Sequence, residues 1–172
     1  MLAALILVIF PFCMAFAVVS DLLSMTIANR VSALLVVSFA AIAPMTGMEW
    51  SAYAWHWAAG VSVLAVTFGL FALGGMGGGD AKLLAATALW MGFGITLLEY
   101  LVTAAILGGA LTLLILWFRS SPVAMLTGRN PFFRHLADAK VGVPYGIALG
   151  LAGLIVYPDS ALMLWAQAAL AG

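Results

Sequence analysis

Asp21 and Asp80 are the residues whose type and setting could do chemistry. Asp21 closes the first long apolar run, and Asp80 opens the fourth. Ionisable groups at membrane level are expensive and usually functional. Two carboxyls held close together do not readily both carry a negative charge, so one proton is shared between them. Such a pair can activate a water with one member and hydrogen-bond a scissile carbonyl with the other. It titrates as a unit, so neither member owns a role in advance. The run Gly77-Gly78-Gly79 leads straight into Asp80. Glycines without Cβ atoms can take positive φ and let a second backbone approach the carboxylate. Paired intramembrane carboxylates also act as proton or cation relays in transporters. Both aspartates near one membrane edge, with no buried basic partner and no clear inverted repeat, favour hydrolysis over that relay.

The elements that must position this pair are membrane helices. Of the 172 residues 66% are hydrophobic and only 7% charged, against roughly a quarter charged in a soluble domain. Stretches of about 20 apolar residues cross a hydrocarbon core, and about six fit here, so residues 1–172 read as a single transmembrane domain. The expected segments are 2–20, 31–45, 52–73, 81–98, 100–118 and 143–157, with the tail in the interface or against the bundle. The first segment lacks a basic n-region and is read as a retained span rather than a signal peptide. Backbone groups in lipid must bond internally, and the runs lack the alternation of a barrel strand, so the fold class is an all-α polytopic bundle.

Charge placement orients the bundle. Arg30, Lys82, Arg119, Arg129, Arg134 and Lys140 all fall on odd-numbered connections, whereas Glu49, Glu99 and Asp159 fall on the other side. The positive-inside rule puts the odd connections in the cytoplasm and the N-terminus outside. Asp21 and Asp80 then share the cytoplasmic side. Trp50, Trp55 and Trp57 form an aromatic belt at the opposite edge, and His56 is grouped with them. Glu49 and Glu99 read as solvated turn residues.

The remaining polar residues call for no metal. Cys13 is the one cysteine, and His135 has no partner at ligand spacing. A net charge of zero argues against a nucleic-acid partner. Lys82, two residues beyond Asp80, points to another helix face and snorkels to the headgroups. Gly142, Gly146 and Gly150 repeat every four residues and read as a helix-packing stripe, as do Gly108 and Gly109. The stretch from Arg119 to Lys140 reads as an amphipathic segment on anionic lipid, with a lid or docking site around Pro131–Leu136 as the sharper alternative. Asp138 and Asp159 are given no role.

Gly77-Gly78-Gly79-Asp80-Ala81-Lys82-Leu83 resembles the GxGD motif of the type IV prepilin peptidases. Ser20-Asp21-Leu22 through Ile27-Ala28-Asn29-Arg30 is similar to the family's first motif, an Asp followed by Ile-Pro-Asn, with Ala28 in place of proline. Pro144-Tyr145-Gly146 resembles the start of its final helix. The resemblance implies a cofactor-free intramembrane aspartic protease of the bacterial inner membrane. It implies Asp21 and Asp80 as the catalytic pair, Gly77, Gly78 and Gly79 as the supporting loop, and Asn29 as a brace for the loop after Asp21. Its partners would be membrane lipid and a prepilin, whose leader is cut at the cytoplasmic face. The chain lacks the extension and cysteine-rich region of larger members, so the resemblance is to the small, peptidase-only branch that serves Flp/Tad pili, without N-methylation.

Overall fold

The computed structural model describes residues 1–121 and 142–171. Among these there are seven α-helices and no strand. They are α1 (Leu2–Ser24), α2 (Asn29–Met45), α3 (Trp50–Ala72), α4 (Gly78–Met91), α5 (Ile95–Ser120), α6 (Tyr145–Val156) and α7 (Ala161–Ala171). A 3-10 turn, Tyr157–Asp159, joins α6 to α7. The Arg119–Lys140 stretch beyond Ser121, with Arg129, Arg134, His135 and Asp138, lies outside the described residues.

Continuous apolar sequence makes these helices, and backbone geometry ends them. Met25 caps α1 in the left-handed conformation, φ 55°, with its N–H on the Asp21 carbonyl (2.9 Å). Gly74, φ 76°, follows α3, and its N–H and that of Gly75 close on Phe71 and Leu70 carbonyls (both 2.9 Å). Gly92, φ 71°, stops α4. The break expected near Leu98 therefore falls at Gly92–Gly94, and α5 starts at Ile95. Glu99 is consequently an exposed residue inside α5 rather than a turn residue. A glycine with positive φ ends a helix more decisively than a charged residue, which can simply face outward.

The all-α membrane bundle expected from sequence is what forms. By length and hydropathy α1, α3 and α5 can each cross a membrane, and the pair α6–α7, bent by 49°, makes a fourth if counted as one span. α2 has 17 residues and α4 has 14, short of the 20 that a lone span requires. α4 is about 21 Å long at 1.5 Å per residue. It is buried almost throughout, from Ala81 and Leu83 to Met91, because α2 and α3 pack along it. α1 packs on α6 and α7, and α5 on α6. The tail is thus a helix closed against the bundle, with Leu162 and Ala166 buried.

Lipid is as apolar as a leucine, so close packing and interhelical hydrogen bonds hold such helices together. A Cβ on Gly150 would sit 2.5 Å from Val18 Cγ2 and 2.9 Å from the Met14 carbonyl; one on Gly153 would sit 2.8 Å from Met14 Sδ. The expected stripe exists but is shifted: Gly146, Gly150 and Gly153 face α1, while Gly142 precedes α6 and a Cβ there would meet open space. A Cβ on Gly108 would sit 2.5 Å from the Tyr145 ring, whereas one on Gly109 would face open space. Trp90, fully buried on α4, donates Nε1–H to the Leu35 carbonyl (2.9 Å), and Tyr157 donates its hydroxyl to the Ile6 carbonyl (2.8 Å). Phe10, Phe39, Trp90 and Tyr157 form the ring cluster between these bonds.

His56 departs from expectation. It is buried, with Nδ1 2.8 Å from the Leu89 carbonyl and its ring stacked on Phe39 at 5.2 Å. Trp50 and Trp55 are the exposed aromatics there, whereas Trp57 is half-buried against Phe39. The hundred-degree step along a helix separates neighbours in sequence onto different faces. His56 and Trp55 therefore meet different surroundings.

Candidate active site

Three chain breaks meet at one end of the bundle: the turn after α1, the glycine run before α4, and the entry to α6. Asp21 lies in the last turn of α1 and Asp80 in the first turn of α4. Both line one cleft of about 530 Å³, together with Met25, Thr26, Ile27, the three glycines Gly77–Gly79, Gly142 and Val143. Asp21 is buried, with 4% of its surface exposed, and Asp80 is half-buried. Asp80 also borders a second cleft of about 550 Å³, which runs past Gly74, Thr112 and Tyr145. Gly77, Asp80, Gly142 and Val143 are common to both clefts, so Asp80 stands on the wall between them.

The local sequence explains the turn after Asp21. Ser20 Oγ donates to the Thr26 carbonyl (2.8 Å), and Ser24 donates to the Ser20 carbonyl (2.7 Å). Ser24 and Thr26 hydroxyls lie 2.7 Å apart. These bonds fold residues 25–28 back across the helix end and bring Ile27 onto α4. Ala28 precedes α2 with φ −64° and ψ 132°, which are values that proline itself would adopt. The turn therefore has the shape of the Ile-Pro-Asn motif without its proline.

The glycines serve close approach rather than positive φ. Gly77 caps α4 at φ −70°, and Gly78 and Gly79 are already helical. A Cβ on Gly77 would lie 2.7 Å from Asp80 Oδ2, and one on Gly79 would lie 3.3 Å from Ile27 Cβ. Gly77 thus makes room for the Asp80 carboxyl, and Gly79 for the turn that carries Ile27. Positive φ in this run belongs to Gly74, which lies earlier.

Gly146, which the sequence offers as a packing residue and as part of the final-helix motif, belongs to the surroundings of Asp21. Its N–H donates to Asp21 Oδ2 at 2.7 Å, and a Cβ there would lie 2.9 Å from Asp21 Cγ and 2.6 Å from Ile27 Cδ1. The first N–H groups of a helix have no partner within it. α6 directs one of these at the carboxylate, and the usable signal was Pro144 followed by Gly146 at a helix start. Arg119 reinforces this entry by donating to the Gly142 carbonyl (3.0 Å).

Asn29 stands apart from the cleft. It accepts from Lys82 Nζ at 2.9 Å on another face of α4 and so ties the start of α2 to that helix. Lys82 is exposed, on a different face from Asp80 as its spacing requires. Chemically, the cleft offers two carboxyls, an amide donor to one of them, and glycine-lined backbone beside the other. That set can polarise a carbonyl and activate a water.

Residues 8–114 match the type IV leader peptidase family, a stretch of more than half the chain that includes both aspartates and ends before α6. No curated protein and no solved structure matches the chain.

Proposed function

The chain belongs to the type IV leader peptidase family, and from that premise we propose that it is a membrane-embedded aspartic endopeptidase with Asp21 and Asp80 as its catalytic pair. Its substrates are prepilins of the Flp/Tad type, cut at the cytoplasmic face of the bacterial inner membrane, without N-methylation of the product. One observation carries this reading: two aspartates from distant parts of the chain line the same glycine-walled cleft.

The reaction follows from the carboxyl pair. The ionised carboxyl takes a proton from water as the oxygen attacks the scissile carbonyl carbon. The protonated carboxyl hydrogen-bonds the carbonyl oxygen as charge develops there. The tetrahedral intermediate collapses with cleavage of the C–N bond, and the leaving amine takes up a proton from the pair. The Gly146 N–H holds one oxygen of Asp21 throughout. Helical substrate must unwind to expose its amide, and the glycines beside Asp80 leave room for extended backbone.

The test is cleavage of a co-expressed Flp-type prepilin by the native protein, Asp21→Ala and Asp80→Ala, all three shown to be inserted and folded. Native cleavage with a loss of about 100-fold or more in each variant is expected. Normal cleavage by either variant would remove the pair assignment. Family membership favours hydrolysis over an ion relay; proton flux into proteoliposomes, lost in Asp21→Asn and unaccompanied by any cleavage, would reverse that preference.

A further inference from the structure

One strongly apolar recess in the bundle lies away from the aspartates. α2 and α3 both pack on α4 and meet each other chiefly through it, which leaves a groove of about 550 Å³ with α4 as its floor. Ala33 and Val37 form one wall, Val61 and Leu64 the other, and Ala86 and Leu89 the floor. Asn29, Ser32 and Lys82 line one end of the groove and Trp57 the other, so its one cationic group stands at the first. Lys82 gives one of its three ammonium donors to Asn29 Oδ1. Among the described residues no carboxylate lies within ion-pair distance of it. Arg30 and Arg119 lie at the same end of the bundle.

We infer that this groove is a binding site for an anionic phospholipid, with the phosphate on Lys82 and one acyl chain between Val37 and Val61. Three features select that occupant. From Lys82 to Leu89 the floor runs about 10 Å at 1.5 Å per residue, within the half-thickness of a hydrocarbon core of about 30 Å. An acyl chain of one leaflet fits that depth, whereas a partner transmembrane helix would need the full thickness. The site has one cationic head and an apolar body, the pattern of a lipid rather than of a peptide. It is also screened from the carboxyl pair: Lys82 lies about 200° around α4 from Asp80, at 100° per residue. The groove is therefore a site separate from the catalytic cleft, and the lipid fills the space between α2 and α3 above α4.

The test uses the full chain in detergent, given phosphatidylglycerol or phosphatidylcholine of identical acyl chains, with bound lipid read by native mass spectrometry. Native protein is expected to retain one phosphatidylglycerol, with a preference over phosphatidylcholine of about five-fold or more. Lys82→Gln should lose the preference and Lys82→Arg keep it, while Ala33→Trp should lose retention of both lipids by filling the groove. Equal retention of the two lipids by native protein would overturn the proposal, as would undiminished preference in Lys82→Gln. Displacement of the lipid by inorganic phosphate alone would also overturn it, since the acyl chain would then contribute nothing. Should Lys82→Gln fail to fold, the headgroup comparison and phosphate competition on native protein still decide.

Discussion

A backbone amide and a missing methyl group set the surroundings of Asp21. The Gly146 N–H is bonded to Oδ2 at 2.7 Å, and a Cβ at that position would lie 2.9 Å from the carboxyl carbon. Gly146→Ala should therefore push Asp21 aside while leaving the chain folded. Misplacement of a reacting group by an ångström can remove about 100-fold in rate. A fall in kcat of roughly 10- to 100-fold is expected, with KM little changed, measured on a prepilin peptide. Gly109→Ala is the control: it faces open space, and kcat should stay within about two-fold of native, since nothing near the carboxyls moves. Unchanged kcat in Gly146→Ala would show that the contact does not position the carboxyl. Asp21, Asp80 and the glycine run were legible in sequence because each sits in a short local pattern. The contact of Gly146 with Asp21 was not, since the two are 125 residues apart and a glycine at helical spacing reads equally well as packing.

The turn between α1 and α2 shows what a helix connection must achieve. Ala28 already has a φ of −64°, and its N–H makes no hydrogen bond among the described residues. Proline at a compatible position stabilises by about 0.4–1 kcal/mol through the unfolded chain. Ala28→Pro should raise the thermal midpoint in detergent by a few degrees with cleavage retained; a lowered midpoint would mean that Ile27 cannot adopt the extended conformation a following proline demands. The interhelical bonds make a complementary case. Trp90→Phe removes the donor to the buried Leu35 carbonyl and should destabilise by about 1–3 kcal/mol, read from denaturation of the purified protein. Helix identities could be read from the apolar runs, but two features could not. Polarity points to a charged residue for the α4–α5 break, whereas Gly92 makes it, and it groups His56 with its sequence neighbours, whereas the helix turns it inward. In both places helix phase and backbone φ, rather than polarity, decide position.

Among the described residues the basic side chains gather at one end of the bundle. Arg30, Lys82 and Arg119 lie at the end that carries the two aspartates, and Glu49 and Asp159 at the other. The proposed orientation, N-terminus outside, predicts a labelling pattern. In a Cys13→Ala background, Glu49→Cys should react with an impermeant maleimide in spheroplasts, and Ser120→Cys only after lysis. The reverse pattern would invert the protein and move the proposed site to the outer face. Membrane class and helical architecture were legible because composition alone forces them. The number of spans was less so, because a short helix such as α4 can be sheathed by others instead of meeting lipid. The contact from α6 to Asp21 has a further consequence in time. A nascent chain that has emerged only as far as Ser121 holds both aspartates and the whole family-matching stretch, yet lacks the amide that fixes the first carboxyl. On the proposed function, full proteolytic competence arrives with the last helices to leave the ribosome. Membrane proteins being inserted beside a half-made copy therefore meet a weakened protease.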